Sequence, residues 1–141
     1  MSQVQKRKSP CYCIGLRRAA NAVSEIYDGF LKPVGLSVNQ FSLVVNLSRL
    51  ECGSVSDLAN YVGLERTTVV RALKPLMARG LIEDVSMPGR RERALRLTRQ
   101  GKKLLAEGLP LWETAQAEIE RRLGGDKTKE LYDILGQLYG Q

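Results

Sequence analysis

The feature that most constrains the fold is a stretch in which glycines divide two short helical segments and a hairpin. Residues 55–62 and 66–79 carry apolar side chains at helical spacing, and Gly63 separates them. Residues 81–86 and 93–97 have the pattern of two strands joined by a tight turn. A helix, a turn, a second helix and a two-stranded ribbon, in this order, predict a winged helix-turn-helix.

Longer helical segments lie on both sides of this stretch. Apolar side chains recur at helical spacing over residues 13–31, and Ser37 with Gln40 has the pattern of a capping box for the next helix. Thr98 is expected to cap a long helix, and Asp126 is expected to cap the last one. The sequence therefore predicts a mainly α fold with one small β-hairpin.

The chain of 141 residues is predicted to be a single domain with two kinds of region. We expect residues 37–103 to form the winged helix-turn-helix, and residues 1–36 and 104–141 to form dimerisation helices. Long amphipathic helices at both ends of a small chain need a surface that covers their apolar faces. Packing within one chain is the alternative. The apolar stripes lie within residues 16–30 and at Leu104, Leu105, Leu109, Trp112, Ala115 and Ile119.

The positive charge of the chain is concentrated in one segment. The formal net charge is +7, from 22 lysines and arginines against 15 acidic residues. Residues 65–103 contain eleven of the basic residues and four of the acidic ones, so the whole excess lies there. Such a segment suits a polyanionic partner, although a solvated basic face would have the same composition.

Several functional classes are disfavoured by what the sequence lacks. It contains no histidine, and its three cysteines are too few for a disulfide framework, so we predict no catalytic site, no metal site and no cofactor. It has no phosphate-binding loop or dinucleotide fingerprint. No apolar run is long enough to span a membrane, and residues 1–10 do not resemble a secretory signal. We therefore expect a cytoplasmic protein that is not an enzyme.

The second helix of the predicted motif carries side chains suited to reading double-stranded DNA. Its N-terminal part would lie in a major groove, where arginine bonds guanine and threonine contacts a base, a phosphate or a thymine methyl group. The tip of the ribbon would place two arginines at a narrow groove lined with phosphates. The predicted DNA-binding residues are Arg66, Thr67, Thr68, Val70, Arg71, Lys74, Arg90 and Arg91.

Two stretches resemble the MarR family of bacterial transcriptional regulators: VSDLANYVGLERTTVVRALKPLMARGLI at residues 55–82 and ALRLTRQG at residues 94–101. The order of the helices is similar over almost the whole chain. The resemblance implies a homodimer held by the first helix and the last two, a pseudo-palindromic operator, and release of the DNA by a small molecule or an oxidant. The wing, which is the predicted hairpin of residues 81–97, differs from the family pattern. Gly89 stands where the family usually carries Asp, two residues before Arg91.

Cys11 and Cys13 are the candidate redox sensors. Cys13 lies at the start of the first predicted helix, where the helix dipole stabilises an anionic sulfur, and Arg17 follows one turn later. Cys13 resembles the reactive cysteine of the organic-hydroperoxide regulators, a branch of the same family, and Tyr27 matches one of the tyrosines around it. Arg17 and Val38 occupy the positions of two other tyrosines. A cysteine at a dimer seam without a redox role is the alternative.

A ligand pocket beside the dimer helices is the competing sensor, because members of the family bind aromatic carboxylates or phenols there. Its candidate residues are Arg17, Tyr27, Phe30 and Trp112. The sequence thus predicts a sequence-specific repressor that is released from its operator by an aromatic or phenolic ligand or by cysteine oxidation. A non-specific architectural DNA-binding protein is the alternative function.

Overall fold

The computed structural model describes residues 10–140. Residues 1–9 and 141, which belong to the predicted terminal regions 1–36 and 104–141, lie outside the described part. Within that part the chain forms six α-helices, a short 3-10 helix and a two-stranded antiparallel sheet. The elements are α1 (Tyr12–Leu31), the 3-10 helix (Lys32–Val34), α2 (Val38–Leu50), α3 (Val55–Val62), α4 (Arg66–Ala78), β1 (Ile82–Asp84), β2 (Leu95–Leu97), α5 (Arg99–Leu123) and α6 (Gly125–Tyr139). The prediction of a mainly α fold with a small hairpin is confirmed.

Local capping sets where several helices begin and end, as the sequence predicted. The Ser37 hydroxyl accepts a hydrogen bond from the Gln40 amide at 3.2 Å, and the Gln40 side chain accepts one from the Ser37 amide at 3.0 Å. Thr98 caps α5 by accepting from the Gly101 amide at 3.1 Å. Gly63 ends α3 with φ of 68°, a conformation that favours glycine.

The start of α6 differs from the prediction. Gly124 is the N-cap residue, and the helix begins at Gly125 without a side-chain capping bond. Asp126 therefore lies in the first turn rather than at the cap. Its carboxylate still faces the positive end of the helix dipole, which is why an acidic residue suits this position as well.

The hairpin is shorter than the two strands expected at residues 81–86 and 93–97. Pairing runs from Ile82 opposite Leu97 to Asp84 opposite Leu95. Gly53 extends the sheet by one bridge, because its amide and carbonyl both bond Leu95, at 2.9 and 2.8 Å. Leu95 and Leu97 face the core and Arg96 faces solvent, as expected from their alternation.

The core lies in the centre of the chain. Helices α2, α3 and α4 and the hairpin enclose it, and it is closed on one side by the end of α1 and the first half of α5. Its fully buried large side chains are Phe41, Leu31, Leu43, Leu47, Leu58, Leu76, Leu95, Val44 and Val69. We call residues 37–103, which supply most of this core, the head, and we call the remaining described residues the terminal helices.

Two glycines allow α5 to pack closely on the head. A Cβ atom at Gly101 would collide with the carbonyl oxygen of Leu81, and one at Gly108 would collide with the Phe41 ring. Both glycines are buried inside α5. Close packing at two points two turns apart fixes the direction in which α5 leaves the head.

Candidate nucleic-acid interface

One face of α4 is buried and the opposite face is open to solvent. Val69, Leu73 and Leu76 are at most 4% exposed and anchor the helix in the core. This anchoring turns the other side outward, where five of the predicted DNA-binding residues line a shallow groove: Arg66, Thr67, Val70, Arg71 and Lys74. Thr68 lies beside them and is half-buried. The structure therefore brings the α4 part of the predicted set onto one surface.

Helix α3 supports the start of α4. Its own N-terminus has a capping box in which Ser54 accepts from the Asp57 amide at 3.0 Å and Asp57 accepts from the Ser54 amide at 3.2 Å. The Arg66 guanidinium donates to the Ser56 hydroxyl at 3.2 Å, which holds the first residue of α4 against the start of α3. This box was not predicted from the sequence, although Ser54 and Asp57 have the required spacing.

The wing is shaped by local hydrogen bonds. The Asp84 carboxylate accepts from the amide and the hydroxyl of Ser86, and with Arg93 at 3.9 Å these bonds lower the pKa of Asp84. Glu83 and Arg96 are opposite each other on the two strands and form an ion pair at 2.7 Å. These contacts stiffen the base from which the tip projects.

The tip of the wing is a turn whose geometry explains the glycine at position 89. The Arg90 amide donates to the Met87 carbonyl at 3.3 Å, with Pro88 and Gly89 between them. Gly89 has φ of 87°, so the arrangement is that of a type II turn, which favours glycine at this place. An aspartate there would be strained. The turn leaves Arg90 and Arg91 exposed.

A cleft of about 300 Å³ joins the wing to the helices. It brings Arg91 of the wing to the same surface as Arg66 and Lys74 of α4. The serines at the start of α3 form another wall, and Arg93 with Glu92 forms the edge on the wing side. Four cationic side chains at one concave surface favour an anionic ligand such as a phosphate backbone.

The two candidate redox cysteines lie at the exposed start of α1. Cys11 is the N-cap residue and Cys13 is in the first turn. An Arg17 guanidinium nitrogen lies 3.7 Å from the Cys13 sulfur, so the proximity expected from their spacing is present. Cys52, for which no role was predicted, is exposed in the turn between α2 and α3.

The structure places the four candidate ligand-pocket residues on different surfaces of the single chain. Tyr27 lines an apolar groove between α1, α5 and α6, whereas Phe30 lines a second groove with Glu118 and Arg122. Trp112 is half-buried against the core, and Arg17 is exposed beside Cys13. Burial, followed by the nearby Tyr132 and Glu120, raises the pKa of Tyr27, which keeps its hydroxyl protonated.

The groove that contains Tyr27 is lined mainly by apolar side chains of the terminal helices. It has a volume of about 360 Å³. Its walls are the apolar side chains of three helices: Leu16, Ala19, Ala20, Val23, Ile119, Leu123, Leu131 and Leu135. The apolar side chains predicted to form one stripe on α5 have two different environments. Leu104, Leu105 and Trp112 pack against the core of the same chain, whereas Leu109 is exposed to solvent.

Comparison with known proteins identifies the family. The profile of the MarR family matches residues 36–88, which include α2, α3, α4 and the first strand. The DNA-bound transcriptional regulator MosR of M. tuberculosis is 33% identical and aligns with a TM-score of 0.77, covering 92% of this chain and 96% of MosR. The chain belongs to the MarR family.

Other matches extend this result. The transcriptional repressor CouR bound to p-coumaroyl-CoA, another structure of this fold, is 26% identical, with a TM-score of 0.84 and 99% of both chains covered. Among curated sequences, the phenylalanine–tRNA ligase alpha subunit of Thermococcus kodakarensis is 32% identical over 102 residues. That alignment includes 72% of this chain but spans 19% of the ligase subunit, so it concerns one part of a much longer protein.

A helix that crosses a bilayer must be both long and strongly apolar. Within residues 10–140, none of the helices combines the required length with sufficient apolar character. The winged helix-turn-helix and the two sets of terminal helices account for all the regular elements that the structure describes.

Proposed function

We propose that this MarR-family protein is a sequence-specific DNA-binding transcriptional repressor, and not an enzyme, that acts as a homodimer on a pseudo-palindromic operator. The observation that carries the proposal is the joint surface of α4 and the wing. There Arg66, Arg71 and Lys74 lie on the exposed face of one helix, and Arg91 faces the same cleft. MosR, which is similar over nearly its full length, has been crystallised with DNA.

The two parts of this surface would have different tasks. Arg66, Thr67, Thr68, Val70 and Arg71 project from the first turns of α4, which suits contact with base edges in a major groove. Lys74 lies one turn further along and suits a phosphate. Arg90 and Arg91, at the exposed tip of the wing, suit the phosphates and the minor groove next to it.

The proposed dimer would use the terminal helices. Their exposed apolar side chains include Leu16 on α1 and Leu131, Ile134 and Leu138 on α6. These side chains are costly to leave in water, and a symmetric partner of the same sequence would cover them with an identical surface. A dimer also supplies two heads for the two half-sites, about 10 base pairs apart centre to centre.

Oxidation of Cys13 is the first of two routes by which the operator would be released. The Cys13 thiolate attacks the outer oxygen of an organic hydroperoxide, the O–O bond breaks, and the products are a sulfenic acid and, after protonation, an alcohol. Cys11 of either subunit then attacks the sulfenic sulfur, forming a disulfide and releasing water. The Arg17 guanidinium donates to the Cys13 sulfur at 3.7 Å, and a new bond at the start of α1 would displace the helices next to the dimer interface.

Binding of an aromatic or phenolic ligand is the second route. CouR, a repressor of the same fold, has been crystallised with p-coumaroyl-CoA. In this chain the candidate residues Arg17, Tyr27, Phe30 and Trp112 would have to be gathered by the second subunit, since one chain places them on different surfaces. The protonated hydroxyl of Tyr27 would then be a hydrogen-bond donor to the ligand.

The test is binding of the reduced protein to its own upstream DNA, with and without cumene hydroperoxide, in the presence of excess non-specific competitor DNA. We expect specific binding that the peroxide abolishes in wild type but not in Cys13→Ser, with Cys52→Ser as the matched control that behaves as wild type. Equal affinity for upstream and competitor DNA would instead favour the architectural role. Specific binding that ignores the peroxide would leave the ligand as the releasing signal.

A further inference from the structure

The C-terminal end of α4 is tied to the end of α1 by a single arginine. Arg79 directly follows α4, and its guanidinium donates to the carbonyls of Val34 and Gly35, at 3.2 and 3.1 Å. These two carbonyls lie at the end of the 3-10 helix that continues α1. The link spans 44 and 45 residues of sequence, so it joins the DNA-reading helix directly to a terminal helix.

The same end of α4 is held on its other side by the start of α5. The Thr98 hydroxyl donates to the Gly80 carbonyl, and the Thr98 amide donates to the Leu81 carbonyl at 3.0 Å. Gly101 packs so closely on the Leu81 carbonyl that a Cβ atom would not fit between them. The three residues 79–81 that follow α4 therefore contact both the 3-10 helix that continues α1 and the start of α5.

The contact made by Arg79 depends on the shape of the guanidinium group. Two nitrogens of one planar group reach two successive carbonyls, which the single ammonium of lysine does not reproduce. A positive charge also suits the carbonyl end of a helix. Gly35 has φ of 67° and lies so close that a Cβ there would be 3.4 Å from a guanidinium nitrogen, so the group is in contact with this backbone.

We propose that Arg79 is a positioning residue for operator recognition, which fixes α4 relative to α1 and so sets the distance between the two α4 helices of a dimer. This inference rests on the proposed DNA-binding function. Because Arg79 holds α4 to α1, the whole head would move as a rigid body with α1 when the dimer interface moves. Without the tie, each head would still read a half-site, but the pair would tolerate wrong spacings.

Footprinting first finds the stretch of upstream DNA that the wild-type protein protects. The experiment then measures the affinity of wild type, Arg79→Lys and Arg79→Ala for four duplexes built from that stretch. These are the natural operator, operators with one base pair inserted or deleted between the half-sites, and a single half-site. Arg49→Ala, which removes an exposed arginine near the end of α2, is the matched control. The salt slope, which is the slope of the logarithm of affinity against the logarithm of salt concentration, is measured on the natural operator. Circular dichroism checks the fold, and sedimentation checks the oligomeric state.

We expect both Arg79 variants to lose roughly tenfold in affinity for the natural operator. Their affinity for the single half-site and their salt slope should equal those of wild type, and their preference for the natural spacing should be reduced. Because Arg79→Lys keeps the charge, it tests the geometry even if Arg79→Ala is poorly folded.

Other outcomes overturn the proposal in distinguishable ways. A lower half-site affinity in Arg79→Ala, restored by Arg79→Lys and accompanied by a salt slope smaller by about one, would make Arg79 a phosphate contact. If Arg79→Lys kept the wild-type preference for the natural spacing, the hydrogen bonds of Arg79 would not set the distance between the two α4 helices. If wild type has no specific affinity for any of the duplexes, the proposed function itself fails.

Discussion

The head and the terminal helices differ in how far their apolar side chains are buried. Among the described residues, every member of the buried apolar core lies between Leu31 and Leu97 except Ala115. Helix α6, by contrast, buries none of its residues, and its Leu131, Ile134 and Leu138 are exposed. A single chain therefore covers the apolar side chains of the head but leaves those of the terminal helices exposed.

Charge divides the molecule along the same line. The basic excess of the whole sequence lies in residues 65–103, which form α4, the hairpin and the start of α5. The remaining residues balance to zero. The region with a complete core thus carries the charge for a polyanion, whereas residues 1–36 and 104–141 together sum to only +1, which suits association with a copy of itself.

The largest expected effect concerns the core of the head. Phe41→Ala should lower the free energy of unfolding by about 3–5 kcal/mol, because the ring is 1% exposed and Gly108 packs directly on it. Urea unfolding at one fixed protein concentration measures this loss. Tyr61→Ala, which removes an aromatic ring that is 65% exposed, is the control and should change the value by less than about 0.5 kcal/mol. Similar losses in both variants would contradict the assignment of the core.

The next effect concerns the exposed face of α6. Ile134→Glu should raise the dimer dissociation constant by roughly 100-fold or more, since the side chain is lost twice in a symmetric interface. Sedimentation equilibrium measures the constant, and Tyr61→Glu, a change at an exposed apolar residue of the head, should leave it unaltered. A dimer of unchanged affinity in Ile134→Glu would exclude this face of α6 from the interface.

The third prediction separates the two parts of the DNA surface. Arg71→Ala should cost about 1–3 kcal/mol on the operator and less on random DNA, because a base contact is lost. Arg91→Ala should weaken binding to all sequences alike and reduce the salt slope by about one. Fluorescence anisotropy at several salt concentrations measures both. Lys129→Ala removes the same charge from α6 and should bind as wild type, so an equal loss there would point to net charge alone.

Features that depend on neighbours in sequence were predictable. The Ser37 capping box, the Gly63 helix end and the Thr98 cap each need residues no more than four positions apart, and all three were confirmed. Asp126 was wrong as a cap because the helix starts two residues earlier, with Gly124 at the N-cap. Helix boundaries shift easily by one or two residues when no side chain fixes them.

Features that depend on tertiary packing were not predictable from one sequence. The Asp28 carboxylate accepts from the Val38 amide at 2.7 Å and thereby caps α2 from within α1. The bonds of Arg79 to Val34 and Gly35 likewise join residues that are 45 and 44 positions apart. In the candidate site, sequence spacing indicated the residues on the open face of α4, but it did not reveal the cleft that brings Arg91 to Arg66.

The smallest expected effect concerns an ion cluster on the terminal helices. Hydrogen bonds from Arg121 and Arg122, at 2.8–3.1 Å, lower the pKa of Glu118 to about 2. A lowered pKa means that the cluster stabilises the folded chain above the ordinary glutamate range, and that this contribution is lost as the pH falls towards the folded value. Carboxyl NMR between pH 6 and 3 should find Glu118 ionised throughout. In Arg121→Ala/Arg122→Ala the same carboxyl should titrate near its ordinary pKa of 4.5, whereas Arg99→Ala, at the other end of α5, should leave it unchanged. A Glu118 that titrates normally in wild type would mean that solvent screens the cluster, and that the end of α5 is held by apolar contacts with α1 and α6 instead.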